Sequence, residues 1–303
     1  MAELLYPQES NIRVAGMIGQ GKFLRQVMRK LNVAPEEVLE NLQQLCSQLV
    51  NPSKMVVHLA GNLPFTTSPS TAWSFLHSSS NVSSFPPPHP TLQPTLPPPR
   101  HVAVGLPGLQ TCHLEVTTPS LSPSHPSLPS LLLAVHLLRP LVTSRIRSAG
   151  LAYTVGLEAR RSSGQLHLSL GRLADVVTAY SVAGRTVLGQ VESGGWEHDA
   201  LQRAKNSLMF ELVNRESNVE QAVNAAVVSS LTGSGEEAKQ LVMAIDILEE
   251  EEVRSMMGML NNLFNHSLSR TSLVCDVNML QSVVGGFANL GLHVEMLDPR
   301  AVF

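Results

Sequence analysis

"IRSAGLAYTVGLEARRSSGQLHLSL", Ile146 to Leu170, decides the fold of this chain. Two strand-forming runs, "LAYTVGLEA" and "QLHLSL", flank the polar, glycine-ended "RRSSG", and that pattern predicts an antiparallel hairpin. Upstream, Ser127 to about Arg147 predicts a buried helix made irregular by Pro140. The helix therefore ends at Arg147, the chain turns at Gly150, and Tyr153 lies in the first strand after the turn. A fold that brings the helix end and the strand edge together aims both side chains at one point. Arg supplies several fixed donors and Tyr a phenolic donor, the groups that hold a peptide carbonyl or an oxyanion. The alternative is structural: an Arg that caps its own helix and a Tyr half-buried in the sheet.

The residues around this unit predict an α/β pattern. "HVAVG" and "LQTCHLEVT" read as strands before the buried helix. Helical patterns follow at about Arg172–Glu192, Glu197–Asn214, Asn218–Leu231, Glu236–Ile247 and Glu249–Phe264. "TSLVCDV" then reads as a strand, "NMLQSVVGGFANL" as a helix and "LHVEML" as a closing strand. Strands at both ends with helices between them predict a two-layer α/β sandwich over residues 101–303.

Toward the N-terminus, two helices are expected, from about Gly16 to Leu31 and from Pro35 to Leu49. In the second, Pro35 suits the first turn, Glu36 and Glu37 suit the positive helix end, and Val38, Leu39, Leu42, Leu45 and Leu49 recur at helical spacing. "KMVVHLAGN" reads as a short buried strand that completes a first segment, 1–62. Residues 63–100, rich in Pro, Ser and Thr, read as a disordered linker, because proline lacks the amide donor and fixes its backbone angle.

Composition narrows the function. The 303 residues carry a formal charge of -3 with no basic stripe, so a nucleic acid partner is not expected. Cys46, Cys112 and Cys275 lie far apart without a C-x-x-C pair, which argues against a disulfide framework and a thiolate zinc site. With no presequence character at the start, the expected location is the cytoplasm, with the mitochondrion as the alternative. The most apolar window, "LPSLLLAVHLLRPLV", falls short of the ~20 residues that span a bilayer, so no membrane role is expected.

The remaining motifs favour ordinary structure. "GMIGQGK", Gly16 to Lys22, has the spacing of a phosphate-binding loop, but Phe23 stands where the magnesium-holding hydroxyl belongs. Neither H-x-x-E-H nor H-E-x-x-H occurs, and Glu197, His198 and Asp199 are consecutive, so they point around a helix rather than at one ion. "GSG" at Gly233 to Gly235 reads as a turn, "EEEE" at Glu249 to Glu252 as a solvated helix start, and "MMGML" at Met256 to Leu260 as core.

The succession from "HPSLPSLLLAVHLLRPLVTSRIRSAGLAYTVGLEARRSSGQLHLSL" to "ALQRAKNSLMFELVNRESNVEQA" resembles the C-terminal half of the pitrilysin/insulinase family of zinc metallopeptidases, in its presequence-protease-like branch. The resemblance covers about Val102 to Phe303, and "LVNPSKMVVHLAGNL" is similar to the strand that closes the preceding repeat. It implies a partial repeat (1–62), the linker (63–100) and a complete last repeat (101–303). In that family the last repeat supplies an Arg and a Tyr that hold substrate backbone near a zinc bound by the first repeat. By motif position these roles fall on Arg147 and Tyr153. The resemblance thus implies a peptide substrate and a zinc-bearing N-terminal half or homologous subunit as partner. No cofactor is expected on this chain, no catalytic residue is assigned in it, and it is not expected to hydrolyse peptides alone. The alternative is an inactive scaffold subunit of a peptidase-like complex. A nucleotide-binding protein resting on Gly16 to Lys22 is the third reading.

Overall fold

The computed structural model describes residues 17–49, 99–122, 125–161, 163–197, 199–214, 218–232 and 237–298. The expected strand at 54–62, all but the last two residues of the linker 63–100, the turn at 233–235 and His198 lie outside them. The described residues divide into two compact units: one holds those of 99–210 and 240–298, the other 17–49 and those of 211–239.

In the second unit, helix α1 (Met17–Val33) and helix α2 (Pro35–Leu49) pack on each other. Their connection is a single residue, closed by the Ala34 amide donating to the Lys30 carbonyl at 2.7 Å and by Lys30 Nζ on Glu37 Oε1 at 2.8 Å. Pro35 opens α2 because its missing amide is one that the first turn would leave unpaired anyway. The backbone from Met17 to Lys22 is already helical, so it forms no loop to cradle a phosphate.

The first unit is built on one open six-stranded sheet. Its strands are β1 (His101–Leu106), β2 (Cys112–Pro119), β3 (Ala152–Arg160), β4 (Gln165–Leu173), β5 (Arg270–Asp276) and β6 (Glu295–Leu297). The spatial order is β3-β4-β2-β5-β1-β6. The β3-β4 hairpin and the β2 pairings are antiparallel, whereas β1 runs parallel to β5 and β6. Inner strands β1 and β5 are buried along most of their length, β1 through its apolar run and β5 with Arg270, Thr271 and Ser272 buried beside Leu273 and Cys275, while edge strand β3 carries several exposed positions.

Helices form the second layer. Helix α3 (Leu128–Ser148) packs on β3, helix α4 (Val176–Ser193) on α3, and helix α9 (Leu280–Asn289) on α4 and β1. Leu131, Ala134, Leu138, Val142 and Ile146 recur at intervals of three and four on α3 and are fully buried. Each buried leucine contributes about 1.5–3 kcal/mol. Pro140 lies inside α3 and the helix continues past it. Gly184 on α4 admits the Phe264 ring, since an added Cβ would sit 3.1 Å from that ring. Tyr180 stacks on Phe264 and Phe287 with centroids 5.3 and 5.5 Å apart, joining α4 to the elements at the far side of the layer.

Several expected boundaries shift. Arg172 and Leu173 finish β4 instead of starting a helix, and α4 begins only at Val176. The reason is Asp175, whose carboxylate accepts from the Thr178 amide at 3.0 Å and its hydroxyl at 2.6 Å, an N-cap. Helix α5 (Ala200–Asn214) starts three residues later than expected, while α6 (Val219–Thr232) and α7 (Glu237–Ile247) sit within a residue of the pattern. The helix expected to reach Phe264 is α8 (Glu250–Met257) followed by a tighter 3₁₀ turn over Gly258–Phe264. Strand β2 starts at Cys112 rather than Leu109, and the closing strand is only Glu295–Leu297.

Candidate functional site

The corner between α3 and β3 is built by Gly150. Its φ of +68° is left-handed, its amide donates to the Arg147 carbonyl at 3.0 Å, and the Leu151 amide donates to the Ile146 carbonyl at 3.1 Å. That pair of bonds with a left-handed glycine is the Schellman ending of a helix, which reverses the chain within two residues. Strand β3 therefore starts directly against the last turn of the helix it left.

The turn brings Arg147 and Tyr153 together. The Arg147 Nε donates to the main-chain carbonyl oxygen of Tyr153 at 3.1 Å. Arg147 is exposed, and it reaches to the next strand instead of capping its own helix. The Tyr153 side chain is 69% exposed, not half-buried in the sheet. Both structural expectations for these residues fail, because the tight reversal puts the strand carbonyl within the arginine's reach and β3 is an edge strand.

A third residue joins them that sequence reasoning did not single out. The Arg172 guanidinium carbon lies 5.3 Å from the Tyr153 ring centroid, a cation–π distance. Arg172 has φ +53°, the left-handed region that a non-glycine residue adopts at a cost. It sits where the β2–β4 register slips, since His113 pairs with Gly171 but Cys112 pairs with Leu173. Such a bulge re-aims a side chain. Nothing local in "LGRLAD" announces it, because the slip arises from pairing with a strand about sixty residues away.

The site offers two guanidinium groups and a phenol at one exposed corner. These groups bind carbonyl oxygens and carboxylates. Among the described residues no group of three or more His, Cys, Asp or Glu is placed to hold a metal ion. Glu197 pairs instead with Arg203 at 2.7 Å. Among the described residues no helix is long and apolar enough to cross a membrane. An open groove of about 480 Å³ lies further back along α3, between His136, Leu141, Trp196 and Arg203; Arg147 and Tyr153 are not in its lining.

Residues 37–208, more than half of the chain, match the family model described as the peptidase M16 inactive domain. No match is found among curated proteins. Among solved structures, the peptidase M16 inactive domain from Pseudomonas fluorescens is 14% identical, with 58% of this chain and 44% of that one covered at a TM-score of 0.47. A protease from Helicobacter pylori is 9% identical, with 59% and 45% covered at 0.49. The periplasmic protease PqqL from Escherichia coli is 14% identical, with 58% and 20% covered at 0.46. The chain spans less than half the length of each of these three.

Proposed function

Because this chain belongs to the peptidase M16 inactive-domain family, the C-terminal, non-catalytic kind of half in that lineage, we propose that it holds peptide substrate for a zinc-bearing half carried on other residues. In this reading the zinc-bearing half supplies metal and water activation, and the corner at α3 and β3 grips the substrate. The observation that supports it is the Arg147–Tyr153 bond at 3.1 Å, which joins an exposed guanidinium and an exposed tyrosine at one point of the surface. Arg147 retains donors beyond the Nε that it gives to Tyr153, and a guanidinium donor on a peptide carbonyl is a charge-assisted bond. The phenol donates to a second carbonyl. The scheme of a partial repeat at 1–62, a linker at 63–100 and a full repeat at 101–303 is part of this proposal.

The test is binding of a fluorescently labelled, unstructured peptide to the whole chain, followed by anisotropy. Arg147→Ala and Tyr153→Phe are each expected to weaken binding, the first by roughly tenfold or more, since a hydrogen bond to a charged group is worth ~1.5–3 kcal/mol. Addition of a zinc-bearing half should then give hydrolysis that both substitutions depress. Equal binding by all three chains rejects the role.

A second reading, an inactive scaffold subunit, is favoured by one observation. Leu39, Leu42, Leu45 and Leu49 line one face of α2 and are all exposed, a row that a partner would cover. It predicts a stable complex whose formation is indifferent to Arg147 and Tyr153.

A further inference from the structure

Cys112 opens β2 and Cys275 lies near the end of β5, strands that run antiparallel side by side. The last paired residues there are His113 and Val274, and one further step of the same register sets Cys112 against Cys275. Directly opposed residues of antiparallel strands have Cα atoms about 4.5–5.5 Å apart, within the span that a disulfide bridges. Both thiols are free and buried, at 1% and 0% exposure, and their sulfurs share a hydrogen bond. We propose that Cys112 and Cys275 are a modification site: a dithiol that a small peroxide oxidises reversibly to a disulfide across the centre of the sheet.

The two sulfurs are not equivalent. The hydrogen bond with Cys275 is the largest influence on Cys112 and holds its thiol below the usual range, against burial and the carboxylates of Asp175 and Asp276. The same bond, with burial, pushes Cys275 up. Cys112, the nearer of the two to the exposed β1–β2 connection, is the attacking sulfur in this scheme and Cys275 the resolving one. The pair sits at the end of the sheet, Cys112 the first residue of β2 and Cys275 the last but one of β5, next to the exposed Pro107, Gly108 and Gln110, the side from which a molecule as small as hydrogen peroxide would enter. The Cys112 thiolate attacks one peroxide oxygen and breaks the O–O bond, which leaves a sulfenic acid and hydroxide. The Cys275 sulfur displaces the sulfenic hydroxyl, its proton leaving with it as water, and the S–S bond forms. Two thiols lose two electrons in all, and the peroxide takes them up as two waters.

The whole chain, folded in buffer, is treated with hydrogen peroxide, alkylated, digested and read by mass spectrometry. The expected result is a peptide pair linked through Cys112 and Cys275, removed by dithiothreitol, with loss of two of the three alkylatable thiols. The link should persist in Cys46→Ser, which removes the exposed thiol, and vanish in Cys112→Ser. Recovery of Cys112 and Cys275 as separate alkylated thiols or as sulfinic acids overturns the proposal, as does a link that forms only after unfolding in urea. The outcome does not depend on peptide binding at Arg147 and Tyr153.

Discussion

Arg147 and Tyr153 are joined through the tyrosine's main chain, not its ring: the guanidinium Nε donates to the carbonyl oxygen at 3.1 Å, while the ring lies under the guanidinium of Arg172 at 5.3 Å. One cation thus binds the main chain near the start of β3 and the other faces the phenol's ring. The division of labour makes the corner separable by mutation.

Gly150→Ala isolates the turn. An added Cβ meets nothing within 4 Å, so the whole cost is the left-handed backbone at φ +68°, about 1–2 kcal/mol. Urea unfolding should show that loss. Peptide binding should fall as well, because the reversal sets the start of β3 against Arg147.

Arg172→Gly separates folding from capture. Glycine adopts φ +53° without strain, so stability should hold or rise by up to ~1 kcal/mol. Peptide affinity should nevertheless drop, since the ring of Tyr153 loses its cation. A variant that unfolds more easily and binds unchanged would contradict both halves of this expectation.

Tyr180→Phe addresses the core. The Tyr180 hydroxyl is buried without a hydrogen-bond partner among the described residues, and burial pushes its ionisation up to about 12. Removing an unpaired buried hydroxyl while keeping the ring against Phe264 and Phe287 should stabilise the chain by about 1 kcal/mol. A thermal melt reads this as a rise of a few degrees.

Acid should weaken the β1–β5 seam through His101. Burial holds the imidazole below its ordinary range, partly opposed by the hydrogen bond to the His266 carbonyl; the charges of His266 and Arg270 press the same way as burial. Nε2 donates to that carbonyl at 3.0 Å and Nδ1 accepts from the Thr271 hydroxyl at 3.1 Å, a neutral tautomer assigned from its partners. Because the folded state binds the proton less well than the unfolded chain, stability is full above about pH 6.5 and declines as pH falls from there through the lowered folded value. His101→Gln should flatten the decline in a series of urea titrations. Asp175, held low first by its bonds to Thr178, adds its own loss at more acidic pH, from the ordinary carboxylate range downward through its lowered folded value.

Local pattern alone determined much of this protein. Leucine spacing on α3, proline at the start of α2, the hairpin around "RRSSG" and the glycine at 150 each depend on residues within one or two turns of each other, and all of them stand where the sequence puts them. The family resemblance was likewise legible in "IRSAGLAY", because a helix end, a left-handed glycine and a strand start are written consecutively. Tertiary structure decided what pairing across the chain controls. The slip between β2 and β4 turned Arg172 toward Tyr153, the antiparallel register of β2 and β5 put Cys112 and Cys275 next to the His113–Val274 pair, and the edge position of β3 left Tyr153 exposed. Strand register is fixed by the sum of many contacts far apart in sequence, and no window of the sequence contains that sum.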